Sequence, residues 1–181
     1  PGQERQHYVA QVVGPMLEAC APYCDAIDVY CDRGAFTLAE AEVIFHAGKA
    51  AGLAIRAHAE QVAYTGVAEM AAQMGALSCD HLERIDDAAI VAMAKAGTVA
   101  VLLPGAMLYL RDPAPPVSRL RAAGVPMAIA TDFNPGSSPV PDLWMCATLA
   151  CVTMGLTPEE CLAGITSVAA RALGRPDRGH L

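Results

Sequence analysis

Three short stretches carry most of the residues able to do chemistry at neutral pH: His58-Ala-Glu-Gln61, Asp80-His-Leu-Glu83 and Thr131-Asp-Phe-Asn134. Imidazole and carboxylate are the usual protein ligands for Zn²⁺ or Fe²⁺, and they also move protons in hydrolysis. Each stretch follows a β-rich run. His58, His81 and Asp132 therefore stand at matching strand ends, where they would converge on a divalent-metal site. Taken one at a time, each has a plainer reading. A lone strand-end histidine is often only packed or solvated, and Asp80 and Glu83 could be caps or solvated charges. Asp132 could cap the turn through Asn134-Pro-Gly136. Three such residues at equivalent positions favour a site. His7 and His46 fall on helical segments and His180 on the tail, and these three read as ordinary.

The run Asn134-Pro-Gly-Ser-Ser-Pro139 lies between a strand and a helix, offering amides and hydroxyls to an anion or a polar ring. It is not a P-loop, because no Lys follows the glycine, and it also reads as an ordinary βα connection. Nucleophilic serine chemistry has no Gly-x-Ser-x-Gly elbow behind it. Any of the seven cysteines could lie near His81, so a Cys–His pair stays open.

The elements that must position these residues alternate regularly. Strands are expected at Ala26–Cys31, Leu53–His58, Leu77–His81, Thr98–Leu103 and Met127–Asp132. Helices are expected at Tyr8–Ala21, Leu38–Ala51, Thr65–Met74, Asp87–Ala96, Pro116–Ala123, Asp142–Met154 and Pro158–Leu173. Thr37 with Glu40, and Thr157 with Glu160, read as capping boxes, and Asp86 as an N-cap. Pro104-Gly105 reads as a strand stop. Five βα units imply a parallel sheet, either open and doubly wound or part of a (β/α)8 barrel. An intact barrel takes about 200 residues or more, so 181 residues would form one domain that is an incomplete barrel. Polar residues at the C-terminal ends of its strands stand where such folds keep their sites.

Composition narrows the function classes. The chain is 54% apolar and 17% charged, with a net charge of −7, which fits a buried sheet and opposes nucleic-acid or anionic-membrane binding. Its apolar stretch Thr98–Leu110 is interrupted by Pro104-Gly105 and too short to span a bilayer. Seven scattered cysteines argue for reduced thiols in a cytoplasmic protein rather than a disulfide framework. Cys20 and Cys24 have no second pair to make a zinc knuckle.

Several strings, in order along nearly the whole chain, resemble the imidazolonepropionase family of the amidohydrolase superfamily. They are His58-Ala-Glu-Gln61, Asp80-His-Leu-Glu83, Gly97-Thr-Val-Ala-Val-Leu-Leu-Pro-Gly-Ala106, Thr131-Asp-Phe-Asn-Pro-Gly-Ser-Ser-Pro139, Thr157-Pro-Glu-Glu160 and Ala169-Ala-Arg-Ala-Leu-Gly174. The Thr131–Pro139 string is the most specific. The resemblance implies an α/β fold, a (β/α)8 TIM-type barrel of which this chain holds strands four to eight. It implies one Zn or Fe ion, with His58 and Asp132 as two of its ligands. It implies His81 as an active-site histidine, with Gln61, Asn134, Gly136 and Ser137 contacting an imidazolone ring. Asp132, His81 and Glu60 are the candidates for proton transfer and charge stabilisation. The implied substrate is 4-imidazolone-5-propanoate, hydrolysed to N-formimidoyl-L-glutamate in histidine breakdown, by a cytoplasmic homodimer.

The sequence also departs from that family. It has no His-x-His pair to complete the metal site, no early-barrel Arg for the propanoate and no Gly-Lys-x-Ala-Asp string of the small β-domain. The expectation is a C-terminal portion with two of four ligands and little activity alone. The alternatives are another cyclic amidohydrolase or a deaminase of the same superfamily, and a non-catalytic barrel remnant.

Overall fold

A computed structural model describes residues 2–180. Five strands, β1 Ala26–Cys31, β2 Ala54–Ala59, β3 Ser78–His81, β4 Val99–Leu102 and β5 Met127–Ile129, pair in parallel in the order β1-β2-β3-β4-β5. That order decides between the two architectures. A doubly wound sheet reverses its strand order at a switch point, whereas a barrel adds each strand beside the last. The sheet is therefore an arc of a barrel, and among the described residues β1 and β5 each have one strand neighbour.

Among the described residues ten α-helices clothe the arc: α1 Gly2–Gln11, α2 Leu17–Cys20, α3 Leu38–Ala50, α4 Val67–Gln73, α5 Asp87–Ala96, α6 Pro104–Leu110, α7 Val117–Ala122, α8 Leu143–Leu149, α9 Pro158–Gly164 and α10 Ser167–Ala172. Their starts follow local chemistry. Thr37 and Thr157 make full capping boxes with Glu40 and Glu160, and Asp86 accepts from the Ala89 amide at 2.9 Å. Gly97, at φ 73°, ends α5 in the left-handed conformation that glycine adopts without a Cβ penalty.

Side chains alternate across the strands. The outward residues Val29, Ile55, Ala57, Ala59 and Cys79 join Ile44 and Phe45 of α3, Ala68 and Ala71 of α4 and Ile90 and Met93 of α5 in one core. Alanine dominates because strand and helix approach closely. At Gly48 of α3 a Cβ would collide with Ile27 Cγ2. The inward face is divided. Towards β5, Val99, Val101, Leu103 and Ala128 pack with Ala172. Towards β1, register places Asp28 beside Arg56 and Ser78, and above them Tyr30 beside His58 and Asp80. Arg56 closes the lower end by donating to the Ala172 carbonyl at 3.1 Å.

Several expected boundaries move. The first helix starts at Gly2 and is broken by a π-turn at Val12–Met16, where Gly14 leaves helical dihedrals and Pro15 supplies no amide hydrogen. Pro104-Gly105 does end its strand, at Leu102, and also opens a helix the sequence reading did not include, because proline at the first helical positions loses no bond that would otherwise form. The last helix divides at Thr166, whose φ −127° and ψ −100° are not helical. Strand β5 stops at Ile129, three residues early, leaving Asp132 in a loop.

Candidate active site

Parallel strands bring their C-terminal ends to one rim, where β1, β2 and β3 present Tyr30, His58 and His81. The Tyr30 and His58 rings are cross-strand neighbours with centroids 3.8 Å apart, and the His58 and His81 rings are 4.0 Å apart. His81 needs a special backbone to get there. Its register partner is Ala59, a core residue, so simple alternation would send its side chain outward. His81 and the following Leu82 instead take φ of 77° and 73°, and the imidazole turns back over the rim. Left-handed backbone at non-glycine residues is uncommon and gathers at functional positions. Among the described residues Glu60, His81, Leu82 and Asp132 adopt it at this rim, with Arg111 the other instance.

His58 is largely shielded, and its Nε2 lies 2.8 Å from Gln61 Oε1. Burial, and then the neighbouring His81, hold its pKa down at about 3. The ring is therefore neutral at pH 7, the state a metal ligand requires. The Gln61 oxygen accepts from Nε2, so a metal approaching that nitrogen must displace the amide. His81 is buried, its Nδ1 without a hydrogen bond and 3.7 Å from Glu83 Oε1.

Asp132 follows β5 at φ 48°, and burial raises its carboxyl pKa while the nearby His81 opposes the rise. The structure thus brings Asp132 within electrostatic reach of His81. Glu60 goes elsewhere. Its wholly buried carboxylate accepts from the Thr65 amide at 2.7 Å and the Ala68 amide at 3.3 Å, so it caps the start of α4 and turns from the histidines.

The Asn134–Ser137 turn is preformed but inward-looking. Asn134 Oδ1 accepts from the Gly136 and Ser137 amides at 2.9 and 2.8 Å, and its Nδ2 donates to the Asp132 carbonyl at 2.8 Å. The amides expected to face a ligand are spent within the turn, and so is the Ser137 hydroxyl, which accepts from Asn134 Nδ2 at 2.9 Å and lies 3.1 Å from Asn134 Oδ1; the exposed Gly136 backbone is what the turn leaves at the surface.

Three rim residues escaped the sequence reading. Tyr30 was absorbed into a strand. Asp32, directly after β1, occupies the same strand-end position that singled out the other acids; it is buried, and its carboxylate receives the Gln61, Val62 and Ala63 amides. Arg84 donates to the Gln61 carbonyl and, at 3.2 Å, to Asp112. Nothing in its sequence context signals that long reach.

As a metal centre the rim is partial. His58 and Asp132 have the right chemistry for zinc or iron, but no group of three His, Cys, Asp or Glu able to hold an ion occurs among the described residues. The chain alone does not fit a closed metal site. What its residues can do together is hold a neutral imidazole, supply a carboxylate base and place a second imidazole beside a reacting carbonyl.

The amidohydrolase family profile matches residues 12–181. The chain is 51% identical, over 98% of its length, to the imidazolonepropionase of Stenotrophomonas maltophilia (strain R551-3), of which it covers 44%. It is 53% identical, over 95% of its length, to that of Polaromonas sp. (strain JS666 / ATCC BAA-500), of which it covers 41%. It thus spans under half the length of the curated relatives it matches. Among solved structures, a mutant atrazine chlorohydrolase from Arthrobacter aurescens TC1 complexed with zinc and atraton superposes with a TM-score of 0.75 at 18% identity, covering 96% of this chain and 45% of that one. An adenosine deaminase from Xanthomonas campestris with bound zinc gives 0.66 at 24% identity, covering 85% and 40%. At such identities these two share the fold alone. The profile match runs over nearly the whole barrel arc and through every rim residue described above, and on that ground the chain belongs to the amidohydrolase family.

Proposed function

We propose that the protein carrying this chain hydrolyses 4-imidazolone-5-propanoate to N-formimidoyl-L-glutamate, and that this chain supplies the later half of its active site. The observation that carries the reading is the His58–His81 pair at the rim, with Asp132 within electrostatic reach of His81, in a chain about half identical to imidazolonepropionases. His58 and Asp132 would be two ligands of a zinc or iron ion, with the others, a His-x-His pair in that family, coming from outside this sequence. When bound, such an ion makes water acidic enough to supply hydroxide near neutral pH.

The remaining chemistry falls to this chain. Asp132 takes a proton from the attacking water. Oxygen adds to the ring carbonyl carbon, and His81 stabilises the charge developing on the carbonyl oxygen. The ring carbon–nitrogen bond then breaks, and Asp132 returns its proton to the leaving nitrogen. Gln61 and the Asn134, Gly136 and Ser137 turn orient the ring, and Glu60 supports the loop between them and α4. The protein acts as a homodimer in the cytoplasm. The cysteines are all free thiols, consistent with a reducing compartment, and no helix among the described residues is long and apolar enough to cross a membrane.

The test is an assay of the full-length protein on the imidazolone, with exocyclic-amine substrates of deaminases run in parallel. Loss of the imidazolone with formimidoylglutamate appearing supports the proposal. Ammonia release from the amines alone would establish a deaminase instead, and inactivity on both with no bound metal would establish a non-catalytic barrel.

A further inference from the structure

We propose that Asp32 is a positioning residue for this hydrolysis, building the turn that aims Gln61 at His58. The proposal rests on the functional reading above for its catalytic consequence, but its geometric content stands separately.

Asp32 lies one residue past β1 and is 4% exposed. Its Oδ2 accepts from the Gln61 and Val62 amides at 3.0 and 2.8 Å, and its Oδ1 accepts from the Ala63 and Arg33 amides at 2.9 and 2.6 Å. Three successive amides of the loop after β2 therefore converge on one carboxylate from a neighbouring strand. Bonds from amides to an ionised oxygen are short and strong, and burying this charge is tolerable only because four donors meet it.

The other side of the same peptide is also held. Arg84, after β3, donates to the Gln61 carbonyl and is itself steadied by Asp112. Both backbone polar groups of Gln61 are thereby fixed from the two flanking strands. The remaining freedom is its side chain, which reaches His58 Nε2 at 2.8 Å. Neither Asp32 nor Arg84 has a hydrogen bond to His58, His81 or Asp132, so their geometric hold on His58 runs through Gln61, while the Asp32 charge also acts on the His58 ring through space. Gln61 is the partner one contact removed from His58, a position whose change commonly alters activity by about 10–100-fold, and Asp32 and Arg84 hold that partner in place.

The experiment compares wild type, D32N, R84A, Q61A and D32N/Q61A in the full-length protein. In D32N an amide NH₂ faces two backbone N–H groups in place of an accepting oxygen. D32N should lower kcat/KM about 10–100-fold at unchanged metal content per folded protein, and R84A should act in the same direction. D32N should have little further effect on kcat/KM once Gln61 is alanine, because the two act as one unit. A residue that only stabilises the fold would lower the melting temperature and multiply its effect with Q61A, and that outcome overturns the proposal. A second readout needs no turnover. In the metal-free full-length protein, wild type should show a slowly exchanging His58 ring N–H resonance and protected amides at Gln61–Ala63, both lost in folded D32N. Their persistence in D32N also overturns the proposal, even if the protein hydrolyses no cyclic amide. Conversely, their loss with no imidazolone hydrolysis keeps Asp32 in its geometric role and removes the proposed reaction.

Discussion

The His58 and His81 rings lie 4.0 Å apart although they come from strand positions of opposite facing, and the left-handed backbone at His81 and Leu82 is what reconciles them. Such a conformation costs on the order of 1–3 kcal/mol per residue, so the contact exists only where the surrounding structure enforces it. His81 is 2% exposed and Leu82 wholly buried, and that packing does the enforcing.

Replacing a ligand should empty the metal site. H58A and D132A in the full-length protein should each abolish stoichiometric zinc or iron, measured by elemental analysis, with kcat falling roughly 10³-fold or more, the scale seen when a central catalytic group is removed. Metal retained at full occupancy in H58A would remove His58 from the ligand set.

Two buried groups pull the pH dependence of stability in opposite directions. His58 has a folded pKa of about 3, below the unfolded value of about 6.5. The unfolded state binds the extra proton in that window, so His58 makes stability fall as pH drops from 6.5 towards 3. Burial, then the nearby Asp28, raise Asp80 to about 7, above its unfolded value of about 3.9. There the native state binds the extra proton, and stability falls as pH rises from 4 towards 7. The two slopes, each at most about 1.4 kcal/mol per pH unit, cancel in part. In the metal-free protein, D80N should therefore be more stable than wild type at pH 7.5 and should lose stability more steeply on acidification to pH 4.5. Denaturant melts at the two pH values read this directly, and a D80N slope no steeper than wild type would contradict it.

Glu60 should behave as a cap. Its carboxylate binds the Thr65 and Ala68 amides, so E60Q should cost about 0.5–2 kcal/mol of stability, while kcat per folded molecule stays within roughly threefold, a change of less than 1 kcal/mol in barrier. A drop of about 10²-fold or more, the scale of a lost general acid or base, would return Glu60 to proton transfer.

Close packing of α3 on β1 makes G48A destabilising by about 1–3 kcal/mol through overpacking. Trimming the obstructing side chain should relieve it. The double variant G48A/I27A should be more stable than the sum of the single changes predicts, as residues in direct contact couple. Strict additivity in thermal melts would show that the helix moves away instead.

Much of the arc was legible because its signals are local. Thr37 with Glu40, Asp86 with Gly97 and Thr157 with Glu160 mark helix ends within a few residues of chain, and apolar runs mark the strands between them. The rim position of the two histidines was legible from the strand ends they occupy, whereas Asp132, expected at the end of a strand, lies three residues past β5 in a loop. The inward-looking Asn134 turn was not, since a free and an internally bonded amide have the same sequence. Asp32 and Arg84 were missed for a related reason. Their bonds run to Gln61, 29 and 23 residues away, and only the side-by-side register of β1, β2 and β3 brings them together.

The consecutive strand order bears on how the chain is made. Every strand after β1 finds its hydrogen-bonding partner in the unit synthesised just before it, so each βα unit leaving the ribosome has a template waiting. Chains whose pairings are this sequential close short loops at each step and can fold as they emerge, N-terminal unit first. The rim would then be assembled in order, with Asp32 in place before the Gln61 loop, and that loop before His81.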